Sequence, residues 1–190
     1  YPYAIEEGYD AVNYILSHEE TFGIDRRKLF LSGQSAGGNL ATGITLMAKE
    51  QKEFSVLLTM LSYPPLDLAK DPAKKRFAEL EAERVETARL YNDWYIEKSR
   101  RMELYASPVY ASREELAGLT PFLIITAQKD TLSEEAETFA YQLIEAGVTV
   151  TAKQIRSAVH GFLVRRSEGF ETAEKLIFDM VRQYLEGAGS

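Results

Sequence analysis

One serine in this chain lies among glycines, where a strand-like apolar run gives way to a helical pattern. The stretch is KLFLSGQSAGGNLATGITL, residues 28–46, and its apolar run at residues 29–31 is typical of a buried strand. Apolar residues then recur at the spacing of a helix with one buried face, at Leu40, Ile44 and Met47. Glycines two positions before and after a serine remove side chains where a strand turns abruptly into a helix, which exposes the hydroxyl. The string Gly33-Gln34-Ser35-Ala36-Gly37 therefore predicts a nucleophile elbow with Ser35 at its apex.

The same glycines raise a second interpretation, a loop that binds phosphate. A P-loop ends in Gly-Lys followed by Ser or Thr, and a dinucleotide-binding loop has the pattern G-x-G-x-x-G. The string GQSAGG fits neither pattern. A strand before the serine and a helix after it are the context of a nucleophile elbow, so the sequence favours that interpretation.

A serine hydroxyl is a poor nucleophile until a base takes its proton and a third group orients that base. The chain offers two histidines as bases. His18 lies in SHEE at the end of a predicted helix, where a solvated imidazole, or one stabilised by the helix dipole, needs no catalytic role to account for it. His160 lies in SAVHGF, five residues after the predicted end of the last strand. Because functional sites gather at the carboxyl ends of parallel strands, where Ser35 also falls, the sequence predicts His160 as the base.

The orienting acid should follow another strand at the same edge of the sheet. Asp130 comes directly after FLIITAQK and is the first choice, although aspartate at such a point often only caps a turn. Glu134 and Glu135 are alternatives that also fit the first turn of the next helix. Asp67, in YPPLDL, follows a strand too and is the second choice. The chain order serine, aspartate, histidine is the order of an α/β-hydrolase triad.

The rest of the chain alternates between helical and strand patterns, which predicts an α/β protein with a mostly parallel sheet and helices on both faces. A helix begins almost at once, near Pro2, and we expect residues 1–190 to form a single domain. Ser133 is the predicted N-cap of a later helix, and Gly147 is its stop signal. The further predicted strands cover residues 54–65, 121–126 and 148–155, and the further helices cover residues 133–147 and 168–185.

A charged insert at about residues 70–101 is longer than a crossover between two strands requires. Its apolar residues keep a helical stripe at Phe77, Leu80, Ala88, Tyr91, Trp94 and Tyr95. One interpretation is an ordinary crossover helix with a solvated outer face. The other is a helix that lies over the serine and lines a substrate pocket with Tyr91, Trp94 and Tyr95.

Composition excludes several classes of protein. The 190 residues are 45% hydrophobic and 27% charged, which suits one sizeable core and gives no sign of disorder. A net charge of −7 argues against a nucleic-acid surface, and no apolar run is long enough to span a membrane. The lack of cysteine rules out a disulfide framework and fits a cytoplasmic location. No zinc or haem motif occurs, so we expect neither a metal nor a cofactor.

The sequence resembles the hormone-sensitive-lipase-like carboxylesterases of the α/β-hydrolase family. Matching segments occur in order along nearly the whole chain: YPYAIEEGYDAVNYI, FGIDRRKLFLSGQSAGGNLA, LSYPPLDL, YASPVYA, LAGLTPFLIITAQKDTL, EAETFAYQLIEAGV and VHGF. The resemblance implies Ser35 as nucleophile, Asp130 as acid and His160 as base. It also implies the backbone N–H of Ala36 as one donor of an oxyanion hole.

The chain departs from this family in four respects. It has Gln34 where the family usually has an acidic residue and Thr131 where the family usually has proline, but neither position carries the proton relay. It has no HGGG-type motif, whose glycines supply the remaining oxyanion donors in the family. The family also places strands before the segment that matches the start of this chain. We therefore expect a C-terminal portion that lacks the N-terminal strands, self-associates through an exposed sheet edge and has little activity alone.

The resemblance implies hydrolysis of carboxylic esters through an acyl-serine intermediate, without metal or cofactor. The aromatic stripe of the insert favours esters with short or medium acyl chains, because a capped pocket has finite depth. Two alternatives remain open. One is a truncated remnant of the same fold that binds or regulates without catalysis, and the other is an amidase or peptidase that uses the same three residues.

Overall fold

The computed structural model of the protein describes residues 1–187, with only the backbone at positions 80 and 81. Four strands form one sheet in the order β1-β2-β3-β4, and every neighbouring pair is parallel. The strands are β1 (Phe30–Gln34), β2 (Leu58–Ser62), β3 (Phe122–Lys129) and β4 (Val150–Val159). The prediction of an α/β fold with a parallel sheet is confirmed.

Seven α-helices accompany the sheet over residues 1–187. They are α1 (Tyr3–Ser17), α2 (Glu19–Phe22), α3 (Ala36–Gln51), α4 (Ala82–Tyr95), α5 (Arg113–Leu116), α6 (Ser133–Glu145) and α7 (Phe170–Gly187). Short 3₁₀ turns cover Arg26–Lys28, Pro72–Lys74, Ala78–Glu81, Lys98–Arg100 and Pro108–Tyr110. None of these helices has both the length and the apolarity that a membrane span requires.

The sheet separates two apolar cores. Phe122 and Ile124 of β3 pack in the core that α1, α3, α5 and α6 cover. Leu123 and Ile125 point the other way, into the core beneath α7. Because both faces are covered, all five residues of β2 are buried, including the polar residues Thr59 and Ser62.

Strand β1 forms one edge of the sheet within residues 1–187. It is hydrogen-bonded to β2 on one side, with Phe30 beside Leu58 and Gln34 beside Ser62. An edge strand presents unpaired backbone groups to its surroundings. Self-association through this edge stays a prediction.

Helix α3 is buried over most of its circumference, which differs from the single buried face that its apolar residues predicted. Its small residues allow this. A Cβ added at Gly43 would lie 3.0 Å from Ile5 of α1, and one added at Gly8 of α1 would lie 2.7 Å from Ile44. The two helices therefore approach closely through reciprocal contacts between a glycine and an isoleucine, and this contact fixes α1 and α3 against each other.

Strand β4 is longer than the sequence predicted. It runs to Val159, so His160 follows the strand directly and does not lie five residues beyond its end. The reason is an irregularity in its pairing with β3, where the register shifts between Ala127 and Lys129. At this bulge Ser157 has a positive φ of 62° and donates its N–H to Gln128 Oε1 at 2.9 Å. A bulge interrupts the alternation by which a strand is recognised in sequence.

The insert forms α4 and the 3₁₀ turns that flank it. Phe77 has a left-handed φ of 60° and precedes the helix, so it does not belong to the predicted stripe. The side chain of Leu80, also assigned to the stripe, lies outside the described residues. Arg89 donates to both carboxylate oxygens of Asp71, at 2.7 and 3.0 Å. This ion pair holds α4 against the first residues of the insert.

The start of α6 differs in detail from its prediction. Ser133 is the first helical residue and not the N-cap, a position that Leu132 holds. The serine hydroxyl donates to the Asp130 carbonyl at 2.8 Å. Gly147 follows the helix with a φ of 82°, which suits its predicted role as stop signal.

Candidate active site

Ser35 lies between the end of β1 and the start of α3. Its backbone has a positive φ of 51° and a ψ of −126°, a conformation that non-glycine residues rarely adopt. Its N–H donates to the Ser62 carbonyl of β2 at 2.9 Å, which continues the sheet pairing through the turn. The chain thus makes the sharp strand-to-helix turn that the sequence predicted.

The glycines of this turn have unequal roles. A Cβ added at Gly33 would lie 2.0 Å from the Gly37 carbonyl oxygen, a distance that real structures do not show. One added at Gly38 would lie 2.9 Å from Pro64. A Cβ at Gly37 would meet nothing within 4 Å. The turn therefore has no room for a side chain at Gly33 or Gly38. The spacing around the serine predicted the second such position at Gly37, where a side chain would in fact fit.

We expect Gly33→Ala to destabilise the fold by about 1–3 kcal/mol, because its new methyl group clashes with backbone that cannot move without opening the turn. Gly37→Ala is the matched control and should leave the free energy of unfolding unchanged or slightly raised, since alanine suits a helix better than glycine. Urea unfolding followed by circular dichroism measures both. Equal losses in the two variants would contradict this steric explanation.

The three residues predicted to act together lie in one hydrogen-bonded chain. Ser35 Oγ is 2.9 Å from His160 Nε2, and His160 Nδ1 is 2.8 Å from Asp130 Oδ2. Asp130 is fully buried, and its other oxygen accepts the Leu132 N–H at 3.0 Å. When Nδ1–H donates a hydrogen bond to the carboxylate, Nε2 is unprotonated and can accept a hydrogen bond from the serine hydroxyl. This is the geometry that general-base activation of a serine requires.

The other candidate residues have different partners. His18 is exposed at the end of α1, 2.8 Å from the Tyr14 carbonyl. Asp67 accepts the N–H groups of Ala69 and Lys70 and so closes a turn. Glu134 forms an exposed ion pair with Lys70.

Ala36 is the first residue of α3 and lines the same cavity as Ser35. The N–H groups in the first turn of a helix have no acceptor within the helix. The helix dipole adds a partial positive charge at this end, which favours an anion there. An oxyanion that develops on a carbonyl attacked by Ser35 would therefore find a donor at Ala36.

A cavity of about 480 Å³ opens above the serine. Its floor includes Ser35, Ala36 and His160, and α4 lies along one wall. The described residues of α4 that line it follow helical spacing: Arg84, Thr87, Ala88, Tyr91, Asn92 and Tyr95. The insert therefore covers the serine, as the second interpretation of its sequence held.

Of the three aromatic residues predicted to line the pocket, the structure places Tyr91 and Tyr95 there and Trp94 outside it. Trp94 is 72% exposed. Successive residues of a helix point about 100° apart, so Trp94 is turned away from the direction of Tyr95. The Tyr95 hydroxyl is buried, and burial raises the pKa of Tyr95 to about 12.

Lys75 also lines the cavity, and the sequence analysis did not single it out. Its ammonium group contacts Glu135 Oε2 at 2.6 Å and donates to the Asp67 carbonyl at 2.8 Å. Glu135 Oε1 accepts the N–H groups of Leu66 and Asp67. Both side chains of the pair are nearly inaccessible, and burial raises the pKa of Glu135 while Lys75 opposes the rise. No pattern in the sequence indicates that a lysine and a glutamate sixty positions apart form an ion pair.

Among the described residues, no group of three or more histidine, cysteine, aspartate and glutamate side chains is placed to hold a metal ion. A serine on a strand-to-helix turn, with an aspartate and a histidine after later strands of a parallel sheet, is the arrangement of the α/β-hydrolases.

Comparison with known proteins gives the same class. The sequence profile described as the alpha/beta hydrolase fold matches residues 1–164, so the chain belongs to that family. It is 29% identical over 169 residues to an arylesterase of Saccharolobus solfataricus, which covers 86% of this chain and 53% of that protein. The resemblance to carboxylesterases of this family is confirmed.

Solved esterase structures superpose on the chain. A thermostable esterase from Pseudomonas putida ECU1011 has a TM-score of 0.80 at 33% identity, over 85% of this chain and 51% of that one. Carboxyl esterase 2 from the fungus Tuber melanosporum has a TM-score of 0.86 at 28% identity, over 97% and 63%. The chain spans about half the length of the curated relatives that it matches.

Proposed function

We propose that the protein is a serine carboxylesterase that works through an acyl-serine intermediate. The observation that carries the proposal is the chain Ser35–His160–Asp130 at the floor of a cavity, with distances of 2.9 and 2.8 Å between successive side chains. The esterase names of the relatives support the same reaction class.

The reaction divides into two steps. His160 Nε2 takes the hydroxyl proton as Ser35 Oγ attacks the ester carbonyl carbon, and the oxyanion that forms meets the N–H of Ala36. His160 then returns the proton to the leaving alkoxide, and the acyl group stays on Ser35. Water attacks this acyl-serine with His160 again as base, which releases the carboxylic acid and restores the serine. Asp130 keeps the imidazole oriented and stabilises its positive charge.

We infer a preference for short or medium acyl chains. The cavity holds about 480 Å³, and Tyr91 and Tyr95 of α4 bound it. Apolar burial favours longer chains until the cavity is full, after which they lose contact or clash. We therefore expect kcat/KM for p-nitrophenyl esters to peak at or below a medium chain length. A rate that climbs steadily with chain length and rises sharply at an oil interface would contradict this.

Covalent labelling tests the proposed nucleophile. A fluorophosphonate probe reacts with a serine only when a neighbouring base activates it. We expect stoichiometric labelling of Ser35, found by mass spectrometry of the digested protein, and none in Ser35→Ala. Ser62, also at the end of a strand, serves as the matched control through Ser62→Ala, which should be labelled normally. An unlabelled wild-type protein would favour the non-catalytic alternative.

The type of bond cleaved needs a separate comparison. An amidase or peptidase would use the same three residues, so labelling does not separate it from an esterase. The ester and the anilide of one acyl group, assayed side by side, make the distinction. We expect Ser35-dependent turnover of the ester and a far slower reaction of the anilide.

The surroundings proposed for the protein rest on composition. The absence of cysteine supports a cytoplasmic location, because proteins of reducing compartments do not depend on disulfides. The net charge of −7 supports a small-molecule substrate over a nucleic-acid partner. Fractionation of the native host would test the location.

A further inference from the structure

Tyr63 follows β2 and stands beside the nucleophile turn. The strand register places Gln34 opposite Ser62, so the next residues, Ser35 and Tyr63, are neighbours at the carboxyl edge of the sheet. Both have a positive φ, 51° and 43°, although neither is glycine. Bulky residues keep such a conformation only where their surroundings hold them in it. The backbone at Tyr63 is therefore held in an unfavourable shape that places a large side chain at the site.

The Tyr63 side chain contacts both His160 and the residue that precedes Ser35. Its ring packs edge-to-face against the His160 imidazole, with centroids 5.1 Å apart, and against Phe162 at 5.5 Å. Its hydroxyl donates to Gln34 Oε1 at 2.6 Å, next to Ser35 in sequence. Tyr63 is 1% exposed and burial raises its pKa, so the hydroxyl stays protonated and can donate.

We propose that Tyr63 is a positioning residue for His160. This inference rests on the proposed function and deepens it. Once Ser35 carries the acyl group, it has no hydroxyl proton to share with Nε2, and the hydrogen bond that held one end of the imidazole is lost. Asp130 then holds only the Nδ1 end, and the Tyr63 ring is the wall that keeps the imidazole aligned for the attacking water. The tyrosine is absent from the residues that line the cavity, so it acts on the histidine and not on the substrate.

Kinetics of two variants separate this role from a general loss of packing. Tyr63→Leu removes the ring, and we expect kcat to fall about 10²-fold with KM changed less than about twofold. Because deacylation should suffer most, a burst of released alcohol should precede the slow steady state. Tyr63→Phe keeps the ring and should restore kcat to within about tenfold of wild type. The matched control is Phe139→Leu, since Phe139 is equally buried and packs edge-to-face on Phe122 away from the site.

A second readout does not depend on turnover. In a His18→Gln background, His160 is the only histidine, and its Nδ1 proton, shared with Asp130, should give a strongly deshielded NMR signal. We expect Tyr63→Leu to broaden or abolish that signal and Tyr63→Phe to keep it. A wild-type protein that gives the signal without Ser35-dependent turnover would contradict the proposed function alone. Tyr63→Leu with the signal and kcat both retained, or a loss of kcat as large in Phe139→Leu, would overturn the positioning role.

Discussion

Replacing His160 by alanine is expected to remove all Ser35-dependent ester hydrolysis, a loss in kcat of up to about 10⁴- to 10⁶-fold that equals the effect of removing Ser35 itself. In the proposed mechanism the imidazole takes the proton from Ser35 Oγ, which lies 2.9 Å from His160 Nε2, and no other base contacts that oxygen among the described residues. Asp130→Asn should cost about 10⁴-fold, because an amide that donates to Nδ1 favours the wrong tautomer. Initial rates with p-nitrophenyl acetate or butyrate, corrected for spontaneous hydrolysis, measure both.

The chain supplies its own controls for these two changes. His18→Ala removes the only other histidine, which is exposed and remote, and should leave kcat within about twofold of wild type. Asp67→Asn alters the second candidate acid and should lower kcat far less than Asp130→Asn. A larger loss in Asp67→Asn than in Asp130→Asn would show that the acid is misassigned.

The largest expected effect on stability comes from Lys75→Met, which should lower the free energy of unfolding by about 3–5 kcal/mol. Glu135 is left in a buried site without its cation, where it must either stay charged at high cost or take up a proton. Urea unfolding at neutral pH gives the value. The double variant with Lys75→Met and Glu135→Gln should recover part of the loss, since the amide is neutral and its oxygen still accepts the two backbone N–H groups.

The pH dependence of this loss follows from the sign of the Glu135 shift. Burial raises the pKa of Glu135 in the folded protein, so the folded state favours the neutral acid. For this group alone, stability is highest below the pKa of the unfolded chain and falls as pH rises through the folded pKa. Without Lys75 to oppose it the shift grows, and the deficit of Lys75→Met should be smaller at about pH 5 than at about pH 8. A deficit that is independent of pH would mean that the charge of Glu135 is not its cause.

The sequence predicted that Ser35, His160 and Asp130 lie together because each of them belongs to a recognisable local pattern. Ser35 lies in a glycine-rich turn, and Asp130 and His160 each follow an apolar strand. Parallel pairing then brings the ends of separate strands to one edge, so local patterns specify a non-local site. For the insert the sequence left two interpretations open, and the structure agrees with the one in which it lies over the serine.

Contacts between side chains that are distant in sequence produce no such local pattern. Lys75 and Glu135, or Tyr63 and His160, are recognisable as partners only when the fold is known, because nothing in their spacing reflects their proximity. The end of β4 was missed for a different reason. The bulge at Ser157 interrupts the alternation of residues by which a strand is recognised in sequence. Pairing with β3 nevertheless resumes after the bulge, and the strand continues to Val159, next to His160.

The strand ends at the active edge divide their tasks. Ser35, Asp130 and His160 follow β1, β3 and β4, whereas β2 leads into the segment whose helix α4 forms a wall of the cavity. Under the proposed function, bond cleavage depends on the residues after β1, β3 and β4, whereas one wall of the ester-binding cavity comes from the segment after β2. Substitutions at the α4 residues that line the cavity are therefore expected to alter ester selectivity while the reacting groups stay untouched.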